Sequence, residues 1–307
     1  MKAGVVFLKQ LGDLVLLQPT LSALSRVSGH NISLLCKPGL APLMELMPGV
    51  DRKYSGSVKT DRLYCFENGS KAAWLAWRWR ARAKTLLLSK KEEQRWFHPL
   101  VFGEIHQDSP NDCYRAQYYW RNVTALRDMA FEFPRLEVPP ENWSDGLAVP
   151  SRPWLLVHPT SAWKKKCWPV ERWVDCLNSI HERTACTLVL SGGVTEWERG
   201  HCQEIVGRVR APIVDLSGRT SLKQLLWLVE KSKAVVTVDG AVAHLAAAWN
   251  RTYLALFGPT NPLHWFRPDA SGRLIQASAY LQQKRPPMEA IPTPPVLEEI
   301  NGLLKSF

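Results

Sequence analysis

One stretch, residues 234–268, constrains the fold more than any other part of the chain. It begins with the apolar run AVVTV, which predicts a buried parallel strand over 234–238. The Asp-Gly pair that follows ends this strand, and strong helix formers then predict a helix over 241–249. A second apolar run at 252–257 stops at a Gly-Pro breaker and predicts another strand. Strand, helix and strand form a βαβ unit, so the sequence predicts an open α/β sheet.

The turn after the first of these strands is a candidate binding site. Open α/β sheets bind ligands beyond the carboxyl ends of their strands, and Asp239 lies there. Backbone N–H groups from Gly240 and Ala241 onward would form a helix N-terminus, which favours a phosphate. The Asp239 carboxylate would accept hydrogen bonds from sugar hydroxyls. These residues alone leave open the alternative that Asp239 only caps the helix.

The N-terminus carries a second unit of the same kind. A strand is predicted over 4–8 and an apolar helix over 14–24. The turn between them contains Lys9, Gly12 and Asp13, of which Gly12 permits a close approach of the backbone. Asp13 is expected in the first turn of the helix, where a purely structural role is again open.

Four segments resemble motifs of glycosyltransferase family 9, the bacterial heptosyltransferases. VDGAVAHLAAA and, further on, FGPTNPLHW are similar to the family's V-D-[ST]-G-x-x-H-x-A-A-A and F-G-P-T-x-P-x-x-W. KQLGDLVLLQPTL resembles x-x-x-G-D-x-[VL]-x-x-x-P-x-[LI], and HPTSAWKKKCWP resembles H-P-G-A-S-W-x-x-K-R-W-P without a gap. The first motif departs at two positions: Gly240 stands where the family has a hydroxyl residue, and Ala241 where it has glycine.

The resemblance implies the GT-B fold, which has two Rossmann-like, doubly wound domains facing a cleft. A chain of 307 residues suits two domains of about 150 residues each. The proline-rich stretch 133–153 predicts the linker. We therefore expect an acceptor-binding domain over 1–150 and a nucleotide-sugar-binding domain over 151–307. A final helix from about 296 to 305 is expected to pack back on the N-terminal domain.

The resemblance also implies which residues form the site. Asp13 occupies the position of the family's proposed general base, and Lys166 that of a lysine which stabilises the leaving diphosphate. The implied donor-binding residues are Thr160, Ser161, Lys166, Glu196, Asp239, Gly240, Ala241 and His244. The implied acceptor-binding residues are Lys9, Gly12, Arg78, Arg80 and Arg82.

Structural interpretations remain open for several of these positions. The run from Lys164 to Lys166 resembles a solvated charge run. Thr195 and Glu196 are also typical of a helix start, and a lone histidine such as His244 is usually a core residue. Segment 71–84, KAAWLAWRWRARAK, predicts a helix with a basic end, which either is simply solvated or forms a tryptophan-anchored patch for anionic lipid headgroups or sugar phosphates.

The implied reaction is inverting transfer of heptose from ADP-heptose to the lipopolysaccharide inner core, an acceptor built on lipid A with Kdo or heptose. Asp13 would deprotonate the acceptor hydroxyl, while Lys166 and the helix N-terminus at Gly240 would stabilise the departing ADP. The chain contains no D-x-D pair. We therefore expect no metal and no other cofactor.

Charge predicts an anionic partner. The formal net charge is +11 and the pI about 9.4, which suits the phosphorylated acceptor and the surface of the inner membrane. Seven cysteines without a C-x-x-C pair predict reduced thiols, and no apolar run reaches the roughly 20 residues that span a bilayer. We expect a cytoplasmic monomer, peripheral on the inner membrane, that does not bind nucleic acid.

Two alternatives differ in what they predict. A relative of the heptosyltransferases that uses another nucleotide sugar or another glycan acceptor would explain the departures at Gly240 and Ala241, and it would turn over only with that donor. A non-catalytic basic protein that binds nucleotides or nucleic acid would show steeply salt-dependent binding. The second alternative gives no reason for the motifs around Asp13 and Lys166.

Overall fold

The computed structural model describes residues 1–51, 58–109, 113–149, 153–184 and 186–305. The chain forms two compact units, residues 1–137 and 138–307. The predicted domain boundary, between residues 150 and 151, lies outside the described residues. The short helix Glu141–Ser144 belongs to the second unit, because the Glu141 carboxylate accepts a hydrogen bond from Trp227 and forms an ion pair with Lys231.

The N-terminal unit is built on a parallel five-stranded sheet with the order β2-β1-β3-β4-β5. Its strands are β1 (Ala3–Val6), β2 (Ser33–Leu35), β3 (Thr60–Cys65), β4 (Ala81–Ser89) and β5 (Glu104–Asp108). Its helices are α1 (Leu11–Ser28), α2 (Ala41–Met44), α3 (Ser70–Arg78), α4 (His98–Val101) and α5 (Arg115–Arg121), with 3-10 turns at Pro38–Leu40 and Thr124–Leu126.

Helices cover both faces of this sheet. Small residues of α3 (Ala72, Ala73 and Ala76) pack on Val6, Cys65 and their neighbours on one face. Side chains alternate along a strand, so Phe7 and Phe66 point to the other face, where they contact Tyr119 of α5. Helix α1 packs against α5. The unit is therefore doubly wound, as the sequence predicts.

The C-terminal unit has a parallel six-stranded sheet with the order β11-β10-β9-β6-β7-β8. Its strands are β6 (Trp154–His158), β7 (Thr187–Leu190), β8 (Ile213–Asp215), β9 (Ala234–Val238), β10 (Thr252–Phe257) and β11 (Gly272–Gln276). Its helices are α6 (Val170–Arg183), α7 (Glu196–Arg208), α8 (Leu222–Lys231), α9 (Ala241–Ala248), α10 (Pro262–Trp265) and α11 (Thr293–Leu304). Further 3-10 turns are Glu141–Ser144, Lys164–Lys166, Ala277–Ala279 and Met288–Ala290.

The last helix lies in the core of its own unit. Val296, Ile300 and Leu303 of α11 are buried among apolar residues of the C-terminal sheet and of α6. The i, i+4, i+7 spacing of these three residues forms one apolar stripe, which this packing uses. Packing of this helix on the N-terminal unit stays a prediction.

One local prediction was wrong. The helix predicted over 71–84 ends at Arg78, and Arg82 and Lys84 lie in strand β4. Residues 81–85 alternate between small or β-branched side chains and the charged side chains of Arg82 and Lys84, and they lead directly into the apolar run LLL. These residues therefore continue the strand at its amino end and do not lengthen the helix.

Candidate functional site

Lys166 and Asp239 form an ion pair at the carboxyl end of the C-terminal sheet. The Lys166 Nζ lies 2.8 Å from the Asp239 Oδ2, and the two side chains are 14% and 2% exposed. The Thr260 hydroxyl donates a 2.5 Å hydrogen bond to the same oxygen. Asp239 follows β9, Lys166 follows β6 and Thr260 follows β10, and these three strands are neighbours in the sheet. Strand order therefore assembles the group from three separate motifs.

The loop after β6 supplies two further predicted donor residues. Thr160 is buried, and its hydroxyl accepts a 3.1 Å hydrogen bond from the N–H group of Gly193 after β7. Ser161 lies against Gly240, since a Cβ added to Gly240 would be 3.8 Å from the Ser161 hydroxyl. The predicted residues of the two loops are thus adjacent.

Gly240 is the N-cap of α9, and Ala241 is its first residue. A glycine at the N-cap has no side chain to accept hydrogen bonds from the first N–H groups of the helix. The backbone at Gly240 is extended, with φ −173° and ψ −173°. This end of α9 therefore presents N–H groups and the positive end of the helix dipole beside Lys166 and Ser161, which is an arrangement that suits a phosphate.

The lysine run has two different environments. Lys164 and Lys165 are exposed, as a solvated charge run predicts, whereas Lys166 is largely buried. The Lys166 ammonium lies 4.9 Å from the centre of the Trp163 ring as well as against Asp239. Trp163 itself is 56% exposed. Lys166 is the lysine that the site positions.

Glu196 lies at the start of a helix and His244 lies in the core, which are the positions expected if the two residues have structural roles. Thr195 caps α7 in a capping box with Glu198, and Glu196 is the exposed first residue of that helix. The carboxylate of Glu198, not that of Glu196, packs against Gly193 in the same loop. His244 is buried within α9, 6.2 Å from the Trp265 ring. The roles of Glu196 and His244 in donor binding stay predictions.

Asp13 lies in the first turn of α1, at the carboxyl end of β1 in the N-terminal unit. The Tyr119 hydroxyl donates a 3.0 Å hydrogen bond to the Asp13 Oδ1. Burial, and then the Asp13 carboxylate, raise the pKa of Tyr119 well above its usual range, so this phenol stays a donor. Edge-to-face contacts with Phe7 and Phe66 hold the Tyr119 ring. Tyr119 could not be identified from the sequence, because only packing of α5 on α1 brings it to Asp13.

Lys9 and Glu67 complete this group. The Lys9 ammonium lies 5.7 Å from the centre of the Tyr119 ring. Glu67, which follows β3, accepts a 2.8 Å hydrogen bond from the N–H group of Leu8. Burial raises the pKa of the Glu67 carboxyl, while Lys9 and that hydrogen bond act in the opposite direction. Glu67 was also missed from the sequence, where its only signal is a carboxylate two residues after the end of β3.

Arg78, Arg80 and Arg82 lie elsewhere in the N-terminal unit. Helix α3 runs back from the carboxyl end of β3, so these residues are at the amino ends of the strands, where Arg82 is 3.7 Å from Asp61. Asp13, Lys9 and Gly12 are at the carboxyl ends. The length of β3 separates the two edges by roughly 17 Å, from a rise of about 3.3 Å per residue. The structure does not bring these arginines together with Asp13.

A family model for glycosyltransferase family 9 (heptosyltransferase) matches residues 56–286. The chain belongs to this family. It is a glycosyltransferase, and the matched residues include the Lys166 and Asp239 pair. Lipopolysaccharide heptosyltransferase 3 of Escherichia coli is 22% identical, with 96% of this chain and 97% of the relative covered. Lipopolysaccharide heptosyltransferase 1 of Pseudomonas aeruginosa is 25% identical, with 85% and 80% covered.

Solved structures place the glycosyltransferase in the GT-B class of folds. A family 9 glycosyl transferase from Veillonella parvula superposes with a TM-score of 0.82 at 18% identity, covering 100% of this chain and 97% of that one. The ADP-heptose lipopolysaccharide heptosyltransferase II of E. coli superposes with a TM-score of 0.80 at 21% identity, covering 100% and 99%. These likenesses confirm the fold class that the sequence predicts.

The described residues of the glycosyltransferase hold neither a candidate metal cluster nor a membrane-spanning helix. Among the described residues, no three His, Cys, Asp or Glu side chains are grouped so that they could hold a metal ion. In the same part of the chain, no helix combines the length and the apolar character needed to cross a bilayer. Six cysteines are reduced thiols: Cys36, Cys65, Cys167, Cys176, Cys186 and Cys202.

Proposed function

We propose that this glycosyltransferase transfers heptose from ADP-heptose to the lipopolysaccharide inner core, with inversion at the anomeric carbon and without a metal ion. The group formed by Lys166, Asp239 and the N-terminus of α9 carries the proposal. It combines a positioned ammonium, phosphate-binding N–H groups and a buried acceptor for sugar hydroxyls. The names of the curated relatives support the acceptor class. One solved relative is E. coli heptosyltransferase WaaC with ADP, which supports the donor.

In the donor site, Lys166 would approach the diphosphate as the glycosidic bond to it breaks. Its positive charge and the N–H groups of α9 would stabilise the charge that develops on the leaving ADP. Thr160 and Ser161 would add hydroxyl contacts to the same phosphates, while Asp239 orients the sugar. Glu196 is assigned to the ribose hydroxyls and His244 to the inner wall of the site.

In the acceptor site, Asp13 would remove the proton of the attacking hydroxyl. The Tyr119 hydrogen bond fixes one oxygen of the Asp13 carboxylate, which leaves the other oxygen to act as the base. Lys9 and Gly12 lie at the same edge of the sheet and would contact the phosphorylated acceptor. We propose further that the protein is a cytoplasmic monomer, peripheral on the membrane that holds this acceptor.

The test measures release of ADP from ADP-heptose with truncated core lipopolysaccharide as the acceptor. Asp13→Asn should lower kcat by about a hundredfold to ten-thousandfold, the usual contribution of a general base, while ADP-heptose still binds. Asp61→Asn, which removes a carboxylate from the opposite edge of the same sheet, is the matched control and should retain activity. Equal turnover by wild type and Asp13→Asn would refute the role of Asp13.

The same assay distinguishes the donors. Gly240 and Ala241 depart from the family's donor motif, so other nucleotide sugars are measured in parallel. Turnover confined to one of these, with none from ADP-heptose, would replace the proposed donor. The configuration of the new glycosidic bond, read by NMR, tests inversion, and activity in the presence of a chelator tests independence from metal. Size-exclusion chromatography tests the monomer.

A further inference from the structure

The outer face of α3 carries two large apolar side chains, whereas its inner face carries small ones. The inner face consists of alanines, Ala72, Ala73 and Ala76, which are buried against the N-terminal sheet. On the outer face, Trp74 and Trp77 are 51% and 63% exposed. A core would gain far more from burying the indoles than from burying alanines. The large apolar side chains of α3 are exposed while its small ones are buried. This arrangement therefore indicates that another molecule or a membrane contacts the outer face.

Helix α4 extends this surface. It packs against α3 on the same face of the sheet. Leu100 of α4 is 73% exposed, and Trp96, two residues before α4, is 83% exposed. We call Trp74, Trp77, Trp96 and Leu100 the α3–α4 surface. Large apolar side chains exposed on two packed helices indicate a contact site with a membrane or another molecule.

Cations border these indoles. Residues 70–84 include Lys71, Arg78, Arg80, Arg82 and Lys84 and no acidic residue. The Arg78 guanidinium stacks on the Trp74 ring, 4.8 Å from its centre. The Lys84 ammonium donates a 3.0 Å hydrogen bond to the carbonyl of Trp77, which holds this cation at the end of α3. Indoles with adjacent guanidinium groups are typical of surfaces that lie at the headgroup level of anionic membranes.

We propose that the α3–α4 surface docks the N-terminal unit on an anionic lipid bilayer. The indoles and Leu100 enter the interface, and the arginines at the end of α3 contact lipid phosphates. A second copy of this chain fits less well, because it would bring the same positive charges together. Helices α3 and α4 cover a face of the sheet while Asp13 lies at the carboxyl edge, so docking leaves Asp13 uncovered. The inference rests on the proposed function only in that the acceptor is membrane-embedded.

The experiment sediments the full-length protein with vesicles, without donor or acceptor. Vesicles of phosphatidylcholine alone are compared with vesicles that also contain phosphatidylglycerol. Wild type should bind the anionic vesicles, less so as salt rises. The Trp74→Ala/Trp77→Ala variant should lose more than about tenfold in partition coefficient, given the apolar area of two indoles. Trp163→Ala removes an indole of similar exposure (56%) from the C-terminal unit and should bind as wild type does.

An activity measurement separates the surface from the site. Trp74→Ala/Trp77→Ala should keep its turnover with a water-soluble, delipidated core acceptor and lose turnover with the acceptor embedded in anionic vesicles. Sedimentation uses neither donor nor acceptor, so it measures vesicle binding even if the protein does not transfer heptose. A failure of the docking proposal can therefore be distinguished from a failure of the proposed function.

Several results would overturn the docking proposal. The first is that the wild-type protein does not bind anionic vesicles. The second is that Trp74→Ala/Trp77→Ala and Trp163→Ala bind these vesicles equally well. Equal binding to phosphatidylcholine vesicles would remove the role of the cations. A concentration-dependent dimer that the double variant abolishes would assign the α3–α4 surface to contact between copies, and salt-sensitive RNA binding lost in the same variant would assign it to nucleic acid.

Discussion

Removing Lys166 should destabilise the C-terminal unit more than removing its partner Asp239. The Asp239 side chain is 2% exposed, so Lys166→Met leaves a carboxylate buried without its cation, 2.8 Å from where the ammonium was. Losing one partner of a buried pair costs about 3–5 kcal/mol of unfolding free energy. The hydrogen bond from Thr260 remains and keeps the expected cost near the lower end of that range. In a unit of this size, this corresponds to a fall in Tm of roughly 10 °C.

Asp239→Asn should cost less. The Lys166 side chain is 14% exposed and flexible, so its ammonium can turn toward water when the carboxylate is lost. Asparagine keeps an oxygen that accepts the Thr260 hydrogen bond. The expected cost is about 1 kcal/mol, the usual net value of one hydrogen bond. The double variant Lys166→Met/Asp239→Asn should be more stable than Lys166→Met, because it buries no unpaired charge.

The assay is thermal and urea unfolding of all three variants, with Lys165→Met as the matched control. Lys165 is exposed in the same 3-10 turn, and its loss should change the unfolding free energy by less than about 0.5 kcal/mol. Steady-state kinetics should show a loss of about a hundredfold or more in kcat for Lys166→Met, as for removal of one charge-stabilising donor. If the unfolding free energy of Lys166→Met is equal to or higher than that of Asp239→Asn, the reasoning about the buried carboxylate is refuted.

Three further predictions concern other parts of the two units. Glu67→Gln should raise the Tm at pH 7 and leave it unchanged below pH 4, because a carboxyl group with a raised pKa destabilises the fold as pH rises above the ordinary value near 4.5. A lower Tm at pH 7 would contradict this. Lower turnover in the more stable variant would assign Glu67 to the acceptor site. Burial lowers the pKa of His158 to about 4, so the unfolding free energy should fall by about 3 kcal/mol as pH drops from about 6.5 to 4. In urea unfolding at a series of pH values, His158→Asn should flatten this dependence of the unfolding free energy on pH. An unchanged dependence would show that another group causes the loss of stability. Gly240→Ser should fold as wild type does, because its φ of −173° is extended and the nearest atoms to an added Cβ are 3.8 Å away; a reduced Tm would contradict this steric argument. The hydroxyl that the family usually has there should lower the KM for ADP-heptose, and an unchanged KM would argue against a phosphate at this position.

Sequence patterns predicted the limits of some elements correctly and those of others wrongly. Apolar runs bounded by glycine and proline predicted strands β9 and β10 with their observed limits, because a buried parallel strand needs a continuous apolar run. The end of α3 was missed, because Trp, Arg and Ala are compatible with both a helix and a strand. Strand β4 begins at Ala81 once pairing with β3 satisfies its backbone groups, and that pairing is a tertiary effect.

The sequence by itself determined the two βα repeats and the family motifs, since glycines, prolines and apolar periodicity act locally. It did not determine which motifs meet. Lys166 reaches Asp239 because β6 and β9 are hydrogen-bonded neighbours, and strand order is a property of the whole sheet. Tyr119 reaches Asp13 across 106 residues because α5 packs on α1. The arginines at the end of α3 lie away from Asp13 because that helix returns to the amino edge of the sheet. Contacts between distant residues form only when the sheet and its helices have packed.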